Sequence, residues 1–295
     1  MADQKQAASD KKPASNLAIW LGLADNSFTR QKTVKFGDAS AVNSGRGYGI
    51  ITIAALLLLW WVATAFGWIK PIYWPSFGSV AARLDTLWTD GFRNVALWDH
   101  VAISVYRVLS GVFYGALVGI PLGLAMGLSS VARGVFDPVV EFIRPIPPLA
   151  LIPLIILWFG IDEFAKIFLL FLASLFIMTI AARAGVSSVN ISKVHAAYSL
   201  GASKWQVLTR VILPNALPEI FTGLRVSMGV CWGTVVAAEL VAANRGVGSM
   251  IMIAKNFLQT DTVVIGIIII GIIGFTIEIL MRQLEKWLVP WRGKS

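Results

Sequence analysis

The chain has 295 residues, 57% of them hydrophobic and only 14% charged. Its mean hydropathy of +0.73 lies far above that of soluble globular domains, so its solvent is a lipid bilayer. The formal net charge of +9 is a topology and lipid-headgroup signal; the basic residues form no aromatic-interleaved groove, which excludes nucleic acid as a partner.

From the N-terminus, residues 1–15 are mostly Lys, Ala, Ser, Gln and Asp without an apolar core, so no cleaved leader is expected. The tail 1–49 is expected to be cytoplasmic and disordered at its start, with 16–23 (NLAIWLGL) either a surface-lying segment or a loose tail. A bilayer core about 30 Å thick needs roughly 20 apolar residues per helix. Six runs approach that length, at 50–67, 101–127, 138–160, 164–186, 220–242 and 263–281. Pro145, Pro147, Pro148 and Pro153 break the third, and Glu239 charges the fifth. The expected fold is an all-α integral membrane protein of about six spans, with a transmembrane domain over 50–281, a cytoplasmic tail over 282–295 and a cytoplasmic helix-Gly-helix loop near 187–218.

Lys and Arg accumulate on the cytoplasmic side of membrane proteins. Seven lie in the tail (Lys5, Lys11, Lys12, Arg30, Lys32, Lys35, Arg46), and Arg133, Lys193, Lys204, Arg210, Arg282, Lys286, Arg292 and Lys294 fall on the same predicted side. On the other, Lys70, Arg83 and Arg93 are offset by Asp85, Asp90 and Asp99. Both termini are therefore expected in the cytoplasm.

In the second run Gly111, Gly115, Gly119, Gly123 and Gly127 recur every four residues. Four residues turn a helix by about 400°, so these glycines form one slowly winding groove. Small residues at that spacing let a second helix approach closely in lipid. Helix packing within the chain and flexibility along a passage both fit the stripe. Pro121, inside it, predicts a kink. Cys231 is the only cysteine and His100 and His195 are far apart; with no phosphate loop, H-E-x-x-H or nucleophile elbow present, neither a catalytic residue nor a metal site is expected.

The stretch HAAYSLGASKWQVLTRVILP, 195–214, is too polar for a span. Ser188 is a candidate N-cap for a helix reaching Leu200, Gly201 supplies a left-handed turn, and Ser203 caps a second helix that should end before Pro214. Trp205, Leu208 and Val211 or Ile212 would share its apolar face, while Ala196 and Ala197 keep the first helix slim. Docking into a groove on another protein and packing on the membrane surface both fit this pattern.

The same stretch resembles the coupling-loop signature of bacterial ABC-importer permeases, E-A-A-x3-G-x9-I-x-L-P. His195, Ala196, Ala197, Gly201, Ala202, Ser203, Leu213 and Pro214 fall on or within it. The segments LWDHVAISVYRVLSG, GIPLGLAMGLSSVARGVFDPVVEFIRPIPPLALIPLIILWFGI, GLRVSMGVCWGTVVAAELVAANRGVG and LVPW are similar to the nitrate, sulfonate and taurine permease group. The resemblance implies a type I ABC-importer permease fold in the bacterial inner membrane, with two copies forming a path for taurine or a related sulfonate. It further implies two ATP-binding subunits docked at the loops, which hold ATP and Mg while this chain binds no cofactor, and a periplasmic substrate-binding protein. Alkanesulfonate, nitrate and bicarbonate are the alternative substrates, and an ion-gradient-driven secondary transporter is the alternative class. The family's acidic first position is His195 here, so no fixed salt bridge is carried over to it.

Ionisable groups in a bilayer are costly unless paired or facing water. Glu141 and Arg144, three apart on one helical face, are expected to pair. Arg107, Arg183, Arg225 and Glu239 are further candidates for an interhelical pair or for a wet passage suited to a zwitterion. For Glu239 the nearest basic residue in sequence is Arg245.

Overall fold

The computed structural model describes residues 46–291. The segment 16–23, the basic residues before Arg46, and Arg292 and Lys294 lie outside the described residues. The chain divides into two compact units, Met1–Leu59 and Trp60–Ser295. Of the first, the described part is the opening of helix α1 (Arg46–Ala65), whose stretch Ile51–Ala65 is apolar but shorter than a full span. The remaining elements belong to the second unit.

Regular structure among the described residues is helical, apart from one isolated bridge between Phe92 and Val95. Helix α2 (Phe77–Thr89) starts where the Ser76 hydroxyl accepts the Ser79 amide. The others are α3 (Leu97–Leu128), α4 (Ser130–Ile143), a 3-10 turn (Pro148–Leu151), α5 (Ile152–Phe159), α6 (Glu163–Ser187), α7 (Ile191–Ser199), α8 (Lys204–Val207), a π turn (Leu208–Ile212), α9 (Leu213–Ala242), α10 (Val247–Asn256) and α11 (Thr260–Leu288). Four helical segments among them are long and apolar enough to cross a bilayer.

The third apolar run, expected as one span, is a pair of helices bent by 84° between α4 and α5. Pro145, Pro147 and Pro148 withdraw three amide donors within four positions, and Pro147 is extended at φ −60°, ψ 129°. Pro153 lies in the first turn of α5, where its missing N–H would have been unpaired anyway. Pro121 and Pro138, in contrast, lie inside helices that continue past them.

Helix directions follow from close contacts. The glycines of α3 meet α6 in ascending order, Gly111 at Leu170, Gly115 at Ser174, Gly119 at Met178, Gly123 at Ala182 and Gly127 at Val186, so α3 and α6 run parallel. Two parallel spans require the chain between them to return across the bilayer, which makes the bent α4–α5 pair the intervening crossing. Helix α9 is antiparallel to α6: Gly185 meets Ala216, Gly223 meets Ala181, and the Ser227 hydroxyl donates to Ser174 Oγ at 2.7 Å. Helix α11 is antiparallel to α9, with Trp232 against Gly274 and Arg225 near Glu285.

The core of this bundle is Val108 and Val112 of α3, Leu170 and Ala173 of α6, and Met228, Cys231, Trp232 and Val235 of α9. A second cluster joins Leu87, Phe92 and Leu97 to Val247, Met250 and Ile265 at the end opposite the α6–α9 connection. Tyr73, Trp74, Trp88 and Trp98 are exposed at that end, as aromatic side chains are at a membrane interface.

Candidate functional site

The α6–α9 connection is the elbow singled out in the sequence. Asn190, rather than Ser188, starts α7: its side-chain oxygen accepts the Ser192 amide at 2.9 Å. Ser188 has helical dihedrals (φ −77°, ψ −12°) and closes α6, and an N-cap must be extended. At the other end of α7, Gly201 has φ +80°, its amide donates to Tyr198 O at 2.9 Å, and the Ala202 amide donates to Ala197 O at 3.0 Å. This is a left-handed helix stop, and it leaves Leu200 89% exposed. His195 and Ala196 are exposed and Ala197 half-buried, so the slim end of α7 stands free of the rest of the chain.

Ser203 and Gln206 form a reciprocal capping box at the start of α8. The second elbow helix does not end before Pro214, as expected from sequence. The π turn carries it directly into α9, so Lys204–Val241 is one span-length helix of 38 residues. The proline explains the turn. It has no amide for the preceding turn, the Leu213 amide reaches back to Leu208 O instead, and Asn215 Nδ2 donates to the Val211 carbonyl at 2.6 Å. The extra residue also shifts the apolar face, burying Val207 and Ile212, five apart, while Trp205 is 71% exposed. The elbow lies at the same end as the C-terminus of α11, because Trp291 Nε1 donates to Pro214 O at 3.3 Å.

At the opposite end is a buried polar cluster. His100, Ser104 and Arg107 share one face of α3 at i, i+4 and i+7. Arg107, fully buried, donates from Nε and Nη2 to both carboxylate oxygens of Glu163 at 2.6 Å each. Its Nη1 donates to Glu239 Oε1 at 2.5 Å and to the Arg245 carbonyl at 2.9 Å. Glu239 also accepts from Ser104 Oγ at 2.7 Å and from the Gly248 amide at 2.9 Å. Ser104 Oγ accepts the Val247 amide at 3.0 Å, and His100 Nδ1 lies 3.0 Å from the Gly246 carbonyl oxygen. One helix face thus gathers the start of α6, the end of α9 and the turn into α10. Gly246, at φ +126°, passes so close to Glu239 that a Cβ there would lie 2.5 Å from the carboxylate oxygens.

Other charges are placed differently from expectation. Glu239 pairs with Arg107, not with the side chain of Arg245, because Arg107 lies at its depth on the neighbouring helix. Glu141 and Arg144 are both exposed and make no ion pair among the described residues; Arg144 is the residue at which α4 stops, and its side chain lines a groove against α6 and α9. Arg183 pairs with Asp137 of α4, and Arg225 approaches Glu278 and Glu285 of α11 at 3.9 and 3.6 Å. Glu163, Ser104 and His100 were not anticipated as a cluster. The i, i+4, i+7 polar face within an apolar run was the available signal; Glu163, 56 residues from Arg107, had none.

Residues 119–290 match the family model described as binding-protein-dependent transport system inner membrane component. The chain is 48% identical over 244 residues to the taurine transport system permease protein TauC of Escherichia coli K12, covering 82% of this chain and 89% of that one. It is 39% identical over 236 residues to SsuC of the same organism, provisionally named for aliphatic sulfonates transport, covering 80% and 88%. A crystal structure titled as an amino acid ABC transporter with histidines shares the fold, with a TM-score of 0.56 at 21% identity, over 71% of this chain and 96% of that chain. The multi-pass helical bundle, with its exposed elbow at one end, belongs to the family of binding-protein-dependent transport system inner membrane components.

Proposed function

We propose that this chain is the permease subunit of an ATP-driven importer for taurine or a closely related sulfonate. The observation that carries the reading is the elbow: an exposed helix stopped by Gly201, a capped second helix, and a continuous helix from there into the bundle. Such a projection suits insertion into a groove on another protein. In this reading two ATP-binding subunits receive the elbows of two permease copies, and they hold ATP and Mg while this chain binds no cofactor. A periplasmic binding protein delivers the substrate at the opposite end. Arg133, Lys193, Lys204, Arg210, Arg282 and Lys286 lie on elbow-end segments, which supports a cytoplasmic elbow and C-terminus.

Taurine as cargo is supported by the likeness to TauC, and the likeness to SsuC keeps alkanesulfonates as the second reading. The test is uptake into liposomes holding the full complex with its ATP-binding and substrate-binding partners, comparing taurine, an alkanesulfonate, nitrate and bicarbonate. ATP-dependent uptake of taurine above the others is expected; uptake that follows an ion gradient without ATP would overturn the proposal.

A further inference from the structure

We infer that Arg144 and Glu219 line the substrate's route and sort it by charge, Arg144 recognising an anionic head and Glu219 an ammonium, so that the groove between them suits a small zwitterion. The sulfonate identity of that anion rests on the proposed function above; the sorting by charge does not. The groove has a volume of about 420 Å³ and lies between the α4–α5 bend and the elbow halves of α6 and α9. Its walls are apolar side chains such as Phe176, Ile180 and Val226, with the Thr222 hydroxyl among them. Arg144 and Glu219 are its only charged lining residues among the described residues and have opposite signs.

Three observations favour a wet route over a lipid-facing crease. Within the bundle, Arg107, Arg183 and Arg225 each have a carboxylate partner, while neither Arg144 nor Glu219 makes an ion pair among the described residues. Both are exposed, and an unpaired charge of either sign facing hydrocarbon is expensive. Helix ends do not account for Glu219: the macrodipole acts within about one turn of a terminus, and Glu219 lies well inside a helix continuous from Lys204. Few polar groups in an otherwise apolar concavity is also the usual composition of a small-molecule site. The guanidinium suits the several oxygens of a sulfonate. A carboxylate on the facing helix suits an ammonium, and weak two-point attraction lets the cargo leave.

The test uses the full complex with a Thr222→Cys substitution, since the chain's own Cys231 is fully buried and gives a low background. Small water-soluble thiol reagents, one anionic and one cationic, should both label Thr222→Cys, and taurine should slow both. Adding Arg144→Gln should slow the anionic reagent about fivefold and spare the cationic one, and Glu219→Gln should do the reverse. Where Thr222→Cys does not assemble, Val226→Cys, one turn on and half-exposed, replaces it. Glu219→Gln should also lower taurine uptake more than alkanesulfonate uptake. Labelling rates indifferent to both charges, or labelling only by lipid-soluble reagents, would overturn the inference. A parent complex that imports no taurine but sorts reagents by charge would sink the proposed cargo and leave this inference standing.

Discussion

Arg107 directs its donors to three elements at once: the Glu163 carboxylate at the start of α6, Glu239 near the end of α9, and the Arg245 carbonyl in the turn that follows. Removing one side of a buried ion pair costs about 3–5 kcal/mol in soluble proteins. Glu239→Gln should therefore lower the thermal stability of the purified complex by that order and reduce uptake of every substrate alike. Arg107→Gln strands Glu239 and should be worse; the Arg107→Gln, Glu239→Gln double variant should be more stable than Arg107→Gln alone. Normal assembly of Glu239→Gln with selective loss of taurine uptake would instead place Glu239 in the passage. Gly201 invites a second residue-scale test. Nothing lies within 4 Å of a Cβ at that position, so its constraint is the backbone φ of +80° alone. Forcing a residue with a side chain into that region costs roughly 1–2 kcal/mol. Gly201→Val should reduce substrate-stimulated ATPase and uptake together, while Gly201→Asn, which tolerates the left-handed region, should retain most of both.

Between elements, the α3–α6 contact depends on absent side chains: a Cβ at Gly115 would lie 2.5 Å from Ser174 Cβ and one at Gly119 2.7 Å from Leu175 O. Overpacking of a tight core costs about 1–3 kcal/mol, and here a whole leucine meets backbone. Gly119→Leu should abolish the monodisperse complex in size-exclusion chromatography, whereas Gly229→Ala, with nothing within 4 Å, should leave it intact. The glycine groove was legible in sequence because a four-residue period winds along one face of a helix, though whether it served packing or a passage was left open there; the structure sets it against α6. The apolar runs were legible because hydrocarbon thickness sets their length. The 84° bend and the π turn were harder to read. Proline marks where a helix loses a bond but not whether the chain will turn, as at Pro147, or reroute its amides, as at Pro214. The sequence pairing of Glu141 with Arg144 failed although helical spacing holds between them, since the Arg144 amide still bonds Val140 O; Arg144 instead lines the groove against α6 and α9. The partner of Arg107 was unreadable, since depth in the bundle rather than separation along the chain brings Glu163 to it.

For the molecule as a whole, the parallel course of α3 and α6 puts the α3–α4 junction, the elbow and the end of α11 at one end, and α2, α10 and the buried polar cluster at the other. With the elbow in the cytoplasm, a membrane-impermeant thiol reagent applied to intact cells stripped of their outer membrane should label Lys70→Cys and leave Lys193→Cys unlabelled until the inner membrane is permeabilised; the reverse pattern would invert the proposed orientation. The 38-residue helix that joins these two ends has a mechanical consequence. At 1.5 Å per residue it is a strut about 55 Å long, running from the Ser203 cap past Glu239 as continuous helix, with the π turn and Pro218 near its elbow end. A hinged loop would dissipate a small stroke as slack. A continuous helix transmits more of it, so thrust or torque applied at the elbow is carried toward the end anchored to Arg107, where the α9–α10 turn is held on the same fastening.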